Sequence, residues 1–487
     1  MFREQLLTPH DTLIFKLINR VNAQNGPVRK ADLADHLKIN ASSLAALLNE
    51  TQQFIDADDH HEALYFKVNP RSVELNLNGQ CTIADFLYPL IHRSDLFQII
   101  MHLYHAPTLT ITQLGTELLV SDASIKRRLA DLNDLLAEFN LSFQQGRLEG
   151  SELQIRHFAF EFMTHLIPEN RRALPVPSAN INDFIVAFQR LFHVTLTPIQ
   201  EQQLIVWLQL SLTRTKANQS PDKTTPDFSA LAEFDDLTIL LKRSLFYQRE
   251  DALPFEVNAL LCHCFTDDLF TSNDDLLTRM VTIIEALEPR IKKTNTFMLS
   301  EMTLSHLTSD NQDHWLHQNI TKTHFQARVL PGYIFIMDKL YLHYYFEAHK
   351  NLLDQAFLTE PVIRQATKLL GVPYSREATY IRASYTRLSA DLIHHPDHYI
   401  TVGIDFTFPM SLDGNIAQQI RHAISSGIDV VFLPNSRHQQ FDLMLIDHSV
   451  PTFHHQCPHY YISNYGTQKD YTNLAHQITA LYAAKYA

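Results

Sequence analysis

The sequence predicts a multidomain, mainly α-helical protein with two helix-turn-helix units at the N-terminal end, two all-α bundles in the middle and a small α/β layer last. Three observations carry this. Paired amphipathic runs, each pair followed by short alternating stretches, occur twice before Arg156. Long amphipathic runs separated by polar loops then fill residues 181–395. From Tyr399 onward the pattern changes to short continuous apolar runs with helical segments between them. A chain of 487 residues is too long for one core, and 45% apolar content with 11 glycines describes a globular, helix-rich protein.

Taken in order, Thr8-Pro9 reads as an N-cap and first helical residue, starting a helix through Ala23 with Leu13, Leu17 and Val21 inward. Gly26-Pro27 stops it. Arg29–Leu37 and Ala41–Ile55, joined by Lys38-Ile39-Asn40, form a helix-turn-helix, and the alternating runs Leu64–Val68 and Ser72–Leu77 read as its wing. The second helix of this unit is almost uncharged, with Ser42 and Ser43 as its polar tip, which suits a positioning module better than a groove reader. A second unit begins near Thr82, with Asp95–Tyr104 as a supporting helix. Ile111–Leu119 is a short amphipathic helix, Val120-Ser121 a turn, and Ser121 the N-cap of a helix with Ile125, Leu129, Leu132 and Leu136 on one face. That spacing leaves Ser124, Arg127, Arg128 and Asp131 outside, and Lys126-Arg127-Arg128 forms a basic cluster on the same helix. A hairpin of Leu141–Phe143 and Arg147–Glu149 around Gln145-Gly146 completes a winged unit whose basic cluster sits on the groove-entering helix. Ser151 and Gln154 form a capping box for the next helix. The expected spans are 1–80 and 81–170.

Arg171–Ala179 is proline-rich and reads as a linker. Two bundles follow, at 180–288 and 289–396, with Glu288-Pro289 as their junction and Lys216–Asp227 as a mobile loop without apolar anchors. Over 399–487, Thr401–Phe408, Asp429–Leu433, Phe441–Asp447 and His459–Tyr465 are strands, and Leu412–Ser426 and Asp470–Tyr486 are helices. Strand, helix, strand implies a parallel layer.

Composition limits the function classes. The opening residues MFREQLLTPHDTL carry no apolar signal core, and no apolar run is long enough for a bilayer, so a cytoplasmic location without membrane contact is expected. Four cysteines (Cys81, Cys262, Cys264, Cys457) show neither a disulfide framework nor a CxxC pair. His455, Cys457 and His459 stand at strand spacing on one face but have no fourth ligand in sequence, so no metal is expected. A net charge of −13 excludes a protein that coats nucleic acid, so any DNA contact must be a local basic surface. No Walker loop, zinc spacing or G-x-S-x-G elbow supports a metabolic enzyme or a cofactor.

The run S-x-x-S-I-x-R-x-L-x-x-L-N from Ser121 to Asn133, then LSFQQGRLEGSELQIRHFAFEFM, resembles the second helix-turn-helix of the Mga/AtxA family of transcription regulators. The step Gly150, Glu152, Ile155, Arg156 is similar to that family's entry into its next helix. The resemblance implies paired PTS regulation domains for the two bundles and an enzyme IIB-like closing domain. Leu253–His263 resembles the helix whose terminal histidine accepts phosphate from the sugar phosphotransferase system, with Pro254, Glu256 and His263 in register and Asn258 in place of a glycine. It therefore implies His263 as a phosphosite, by way of a partly exposed imidazole, with the phosphocarrier HPr as donor. A plain packed helix histidine is the other reading of that residue. His193 is a second candidate by position, and His343, on the aromatic helix Tyr341–His349, a third. A true enzyme IIB has a cysteine after its first strand, whereas Phe408–Leu412 has none, which implies a degenerate domain used for homodimerisation. The expectation is thus a DNA-binding regulator of double-stranded DNA, contacting it through Ser121, Ser124, Lys126, Arg127 and Arg128, and through Ser42 and Ser43. A sensor or scaffold without DNA, or a degenerate phosphocarrier, is the alternative.

Overall fold

The computed structural model describes residues 1, 3–24, 26–57, 64–77, 83–105, 110–167, 179–245, 249–304, 313–334, 359–390, 399–406, 413–424, 428–435, 440–448, 457–462 and 466–486. Helix α1 (Pro9–Asn22) starts as its sequence dictates: the Thr8 side chain accepts the Asp11 N–H, and proline fills the first turn, where an N–H has no helical partner. Its buried face is Ile14, Phe15, Leu17, Ile18 and Val21, while Leu13 is only half-buried. Helices α2 (Lys30–Leu37) and α3 (Ala41–Asp56) follow, joined by the turn Lys38–Asn40. Strands β2 (Leu64–Val68) and β3 (Ser72–Leu77) pair antiparallel at the spans read from the sequence. A two-residue strand β1 (Val28–Arg29) was not foreseen; it adds to the free edge of β3. These elements share one apolar core with Leu87 and Leu90.

Helix α4 (Ile83–His92) faces two cores, for its Leu87 and Leu90 join the first while Tyr88 and Ile91 join the next. After α5 (Asp95–His105) come α6 (Ile111–Glu117) and α7 (Asp122–Leu136), the latter extended by a 3-10 turn at Ala137–Phe139. Strands β4 (Ser142–Gln144) and β5 (Arg147–Glu149) form the hairpin, with both turn residues, Gln145 and Gly146, at positive φ (50° and 86°). Two left-handed residues match the twist of a two-residue hairpin. Helix α8 (Glu152–Leu166) keeps only half of its expected capping box. Ser151 accepts the Gln154 N–H, but the Gln154 side chain donates instead to the Pro331 carbonyl at 2.6 Å.

Nearly every residue of α8 is buried, because neighbours enclose it on all sides. Helices α9 (Ala179–Leu191), α10 (Pro198–Lys216), α11 (Phe234–Leu245), α12 (Leu253–Thr266) and α13 (Asp274–Leu287) precede the Glu288-Pro289 step. Helices α14 (Pro289–Leu304), α15 (Asp313–Val329), α16 (Glu360–Leu370) and α17 (Tyr374–Ala390) follow it. One continuous apolar core takes in Met1, Leu6 and residues from Tyr88 to Leu388 through α8, so α6, α7 and both helical sets share their interior. The Lys216–Asp227 loop departs from expectation, since it is anchored. Asp222 holds the Thr224 N–H and hydroxyl, Thr225 is buried, and just beyond it the Phe228 N–H donates to Asn258. Polar anchors of this kind leave no apolar signature in sequence.

The closing unit is a four-stranded parallel sheet ordered β7-β6-β8-β9, built of β6 (Tyr399–Asp405), β7 (Asp429–Pro434), β8 (Leu443–Ile446) and β9 (His459–Tyr461). Helices α18 (Asp413–Ala423) and α19 (Gln468–Tyr486) pack on it, with Ile400, Val402, Ile416, Ile420, Leu474 and Ile478 in a separate core. Among the described residues no helix is long and apolar enough to cross a membrane.

Candidate nucleic-acid interface

The turns joining α2 to α3 and α6 to α7 are built alike. In each, a left-handed residue closes the first helix: Lys38 (φ 55°) and Leu119 (φ 55°). The N–H of the following apolar residue returns to the carbonyl five positions back, Ile39 to Ala34 at 3.0 Å and Val120 to Gly115 at 2.9 Å. This bond pair closes a helix end. Asn40 and Ser121 then cap the second helix by accepting the N–H of Ser43 and Ser124. Gly115 is required in the second turn, because a Cβ there would stand 2.9 Å from the Val120 carbonyl oxygen. Leu119 is 91% exposed on the tip of that turn.

Helix α7 buries Ile125, Leu129, Leu132, Leu135 and Leu136, which turns the opposite face outward at its N-terminal end. Ser121, Lys126 and Arg127 are exposed there. Ser124 is half-buried, and Arg128 does not lie outside as the helical period implies. Its guanidinium reaches the Asp95 carboxylate of α5 at 2.5 Å, with 21% of the side chain exposed. A long side chain at the edge of the apolar face can reach back to a neighbouring helix, and periodicity does not record that. The exposed face thus offers two cations, Lys126 and Arg127, beside the N-terminal N–H groups of α7. In α3, Ser42 and Ser43 are exposed, and the helix itself contains no Lys or Arg.

The candidate histidines are dispersed. His263 of α12 is buried, at 1% exposure, against the expectation of a partly exposed ring. It stacks on Trp207 (centroids 4.4 Å apart, planes at 5°) and meets Phe160 of α8 edge-on at 4.5 Å. Its Nδ1 lies 2.9 Å from Asp267 Oδ2, one helical turn on, and its Nε2 has no hydrogen-bond partner among the described residues. A proton on Nδ1 donated to Asp267 leaves Nε2 as the bare nitrogen. His193 is exposed at the end of α9, at φ 50°. His343, His455 and the whole Tyr341–His349 stretch lie outside the described residues. Among those described, no three His, Cys, Asp or Glu side chains are grouped to hold a metal.

Two features went unread in the sequence. Arg156 and Glu256 stand in the quoted motifs, but nothing in their spacing shows that they meet. Arg156 is fully buried and holds Glu256 through both terminal nitrogens (2.5 and 3.0 Å), Glu152 at 3.0 Å and the Gln219 carbonyl at 3.1 Å. Arg214 binds Glu152, and Thr215 donates to Glu256. This closed network ties α8 to α10 and α12. The other feature is the positive φ of Lys38 and Leu119, whose only sequence signal is a position two residues before an N-cap.

A search of the curated proteins finds no match to this chain. Residues 80–163 match the family model of the Mga helix-turn-helix domain, a span that covers α4 to most of α8, with α6 and α7 at its centre. This part of the chain is therefore similar to the Mga helix-turn-helix domain, a match consistent with an Mga/AtxA-type regulator.

Proposed function

We propose that the protein regulates transcription by binding double-stranded DNA through α7. The exposed pair Lys126 and Arg127 beside the capped start of that helix, inside the Mga domain, is the observation that carries this reading. Ser121 and Ser124 stand at the same end, where short hydroxyls serve phosphate oxygens or base edges. Arg128, held by Asp95, orients α7 on α5 and contributes to binding through that fixed orientation. The α2–α3 unit, with its uncharged tip at Ser42 and Ser43, is a second winged module that positions the duplex. In a binding assay on duplexes selected from random sequence, Lys126→Ala with Arg127→Ala should lose specific binding. The Ser42→Ala, Ser43→Ala pair should lose much less. Equal losses, or none from the cations, would refute this assignment.

The two helical sets are read as PTS regulation-like domains, at 180–288 and 289–396, and the parallel sheet as an enzyme IIB-like domain through which the chain dimerises. On this reading histidine phosphorylation by HPr tunes activity. His193 is reachable in the present conformation. His263 has the better chemistry, an imidazole oriented by Asp267, yet is reached only when the rings of Trp207 and Phe160 part. His343 completes the candidate set. Label passed from phosphoenolpyruvate through enzyme I and HPr to the purified protein should be reduced in His263→Ala. Label that persists there and disappears only in His193→Ala or His343→Ala would move the site. No label at all would remove the phosphotransferase connection and leave the DNA reading standing.

A further inference from the structure

The stretch after α15 has an unusual way of meeting its backbone hydrogen bonds. Pro331–Ile334 belongs to no helix or strand, yet Pro331, Gly332 and Ile334 are buried. Buried peptide groups need partners, and here side chains of α8 and α17 provide them. Gln154 donates to the Pro331 carbonyl at 2.6 Å, and His157 Nε2 lies 3.1 Å from the Gly332 carbonyl oxygen. Glu377 of α17 accepts from the Gly332 backbone, and Glu161 accepts the Ile334 N–H at 3.0 Å. Burial keeps the His157 imidazole uncharged, its pKa lowered to about 4, so one ring N–H remains to donate to Gly332. Three of these four groups sit on successive turns of one face of α8.

The far side of the stretch meets the end of α7. Gly332 lies at φ +96°, and a Cβ there would come within 2.4 Å of the Phe139 ring. Phe139 ends the 3-10 extension of α7 and is fully buried, with its ring 4.9 Å from Phe158 and 6.0 Å from His157 of α8. The aromatic ring that closes α7 is therefore held between α8 on one side and a bare glycine backbone from the second helical set on the other.

We propose that Pro331–Ile334 is a positioning strap for the DNA-reading helix: through Gly332 it fixes Phe139, hence the angle of α7 on α8, and it passes changes in the second helical set to the reading head. The proposal rests on the assignment of α7 as reader. Movement of α15 or α17 shifts the strap, and a packed ring against a bare backbone follows such a shift in steps.

The test uses the full chain, a duplex selected by the parent protein from random sequence, and an unrelated duplex of equal length. Gly332→Ala should weaken specific binding roughly two- to thirtyfold, the range of coupling through packed networks, and leave non-specific binding unchanged. Phe139→Leu in the same chain makes room for the new methyl group and should restore part of the lost affinity. A merely structural role for the strap lowers both kinds of binding in step with the folded fraction, and no rescue follows. If Gly332→Ala does not fold, Gln154→Leu, which loosens the strap and keeps the glycine, should show the same selective loss in smaller measure. Specific binding unchanged in the strap variants, losses shared equally by both duplexes, or a double variant no tighter than Gly332→Ala overturns the proposal. Specific binding indifferent to Lys126→Ala with Arg127→Ala instead overturns the reader assignment on which it stands.

Discussion

Replacing Arg156 by methionine removes one charge from a buried network and leaves its carboxylates in place. Glu256 is 2% exposed, and without Arg156 it keeps, among the described residues of the network, the Thr215 hydroxyl at 3.0 Å. Glu152 is less affected, since Arg214 still reaches it at 2.7 Å. Breaking one partner of a buried pair typically costs about 3–5 kcal/mol, because the other charge stays buried without compensation. At about 2–4 °C per kcal/mol for a large domain, Tm should fall by roughly 6–20 °C. The double variant Arg156→Met, Glu256→Met removes both charges and should recover much of that loss, as apolar replacements of buried pairs often do. Urea unfolding followed by circular dichroism, together with a thermal scan, measures the parent, Arg156→Met, Glu256→Met and the double variant. The reasoning is wrong if Arg156→Met costs under about 1 kcal/mol, or if the double variant loses the sum of the two single ones.

Other outcomes follow from the same structure. Burial raises the Glu377 carboxyl to about 7, so the folded state holds a proton that the unfolded chain releases from its ordinary value of 4.5. That contribution to stability is complete below the unfolded value and is lost as pH rises through about 7. Glu377→Gln should therefore flatten the decline in stability between those two values, and a slope identical to the parent's would contradict the assignment. Because the His263 ring lies on Trp207, a charged group added to it must disturb the stack. In a Trp315→Phe background, Trp207 fluorescence should change on treatment with enzyme I, HPr and phosphoenolpyruvate, and His263→Ala should abolish the change. Deleting the residues after His398 should give a monomer with weaker DNA binding, by loss of paired half-site contacts; light scattering that still reports a dimer would place the interface elsewhere. Arg128→Ala should lower stability through loss of the Asp95 contact and leave the salt dependence of DNA binding less altered than Arg127→Ala does.

What the sequence made legible is what periodicity and capping encode. Thr8 and Ser121 cap the helices they precede, β2 and β3 end where their alternation ends, and the runs after Tyr399 form a parallel sheet. The exposure of Arg127 also followed from the apolar stripe of α7. Long-range pairings were beyond this kind of reading. The Arg156–Glu256 pair spans 100 positions, and Gln154 bonds Pro331 across 177. Arg128 turned inward because an acid on α5 lay within reach, and His263 was sealed by rings from α8 and α10 that no local pattern places beside it. The Lys216–Asp227 loop reads as mobile in sequence, but Pro221 and Thr225 are buried and the Asp222 carboxylate holds Thr224.

The central claim is that α7 reads DNA sequence with Lys126 and Arg127. A genome-wide binding map of the tagged protein, made beside one of the Lys126→Ala, Arg127→Ala variant at matched abundance, tests it most directly. The account predicts discrete sites sharing a common sequence for the parent protein and their disappearance in the variant. Parent and variant maps that coincide, or a parent map without discrete sites, would contradict it.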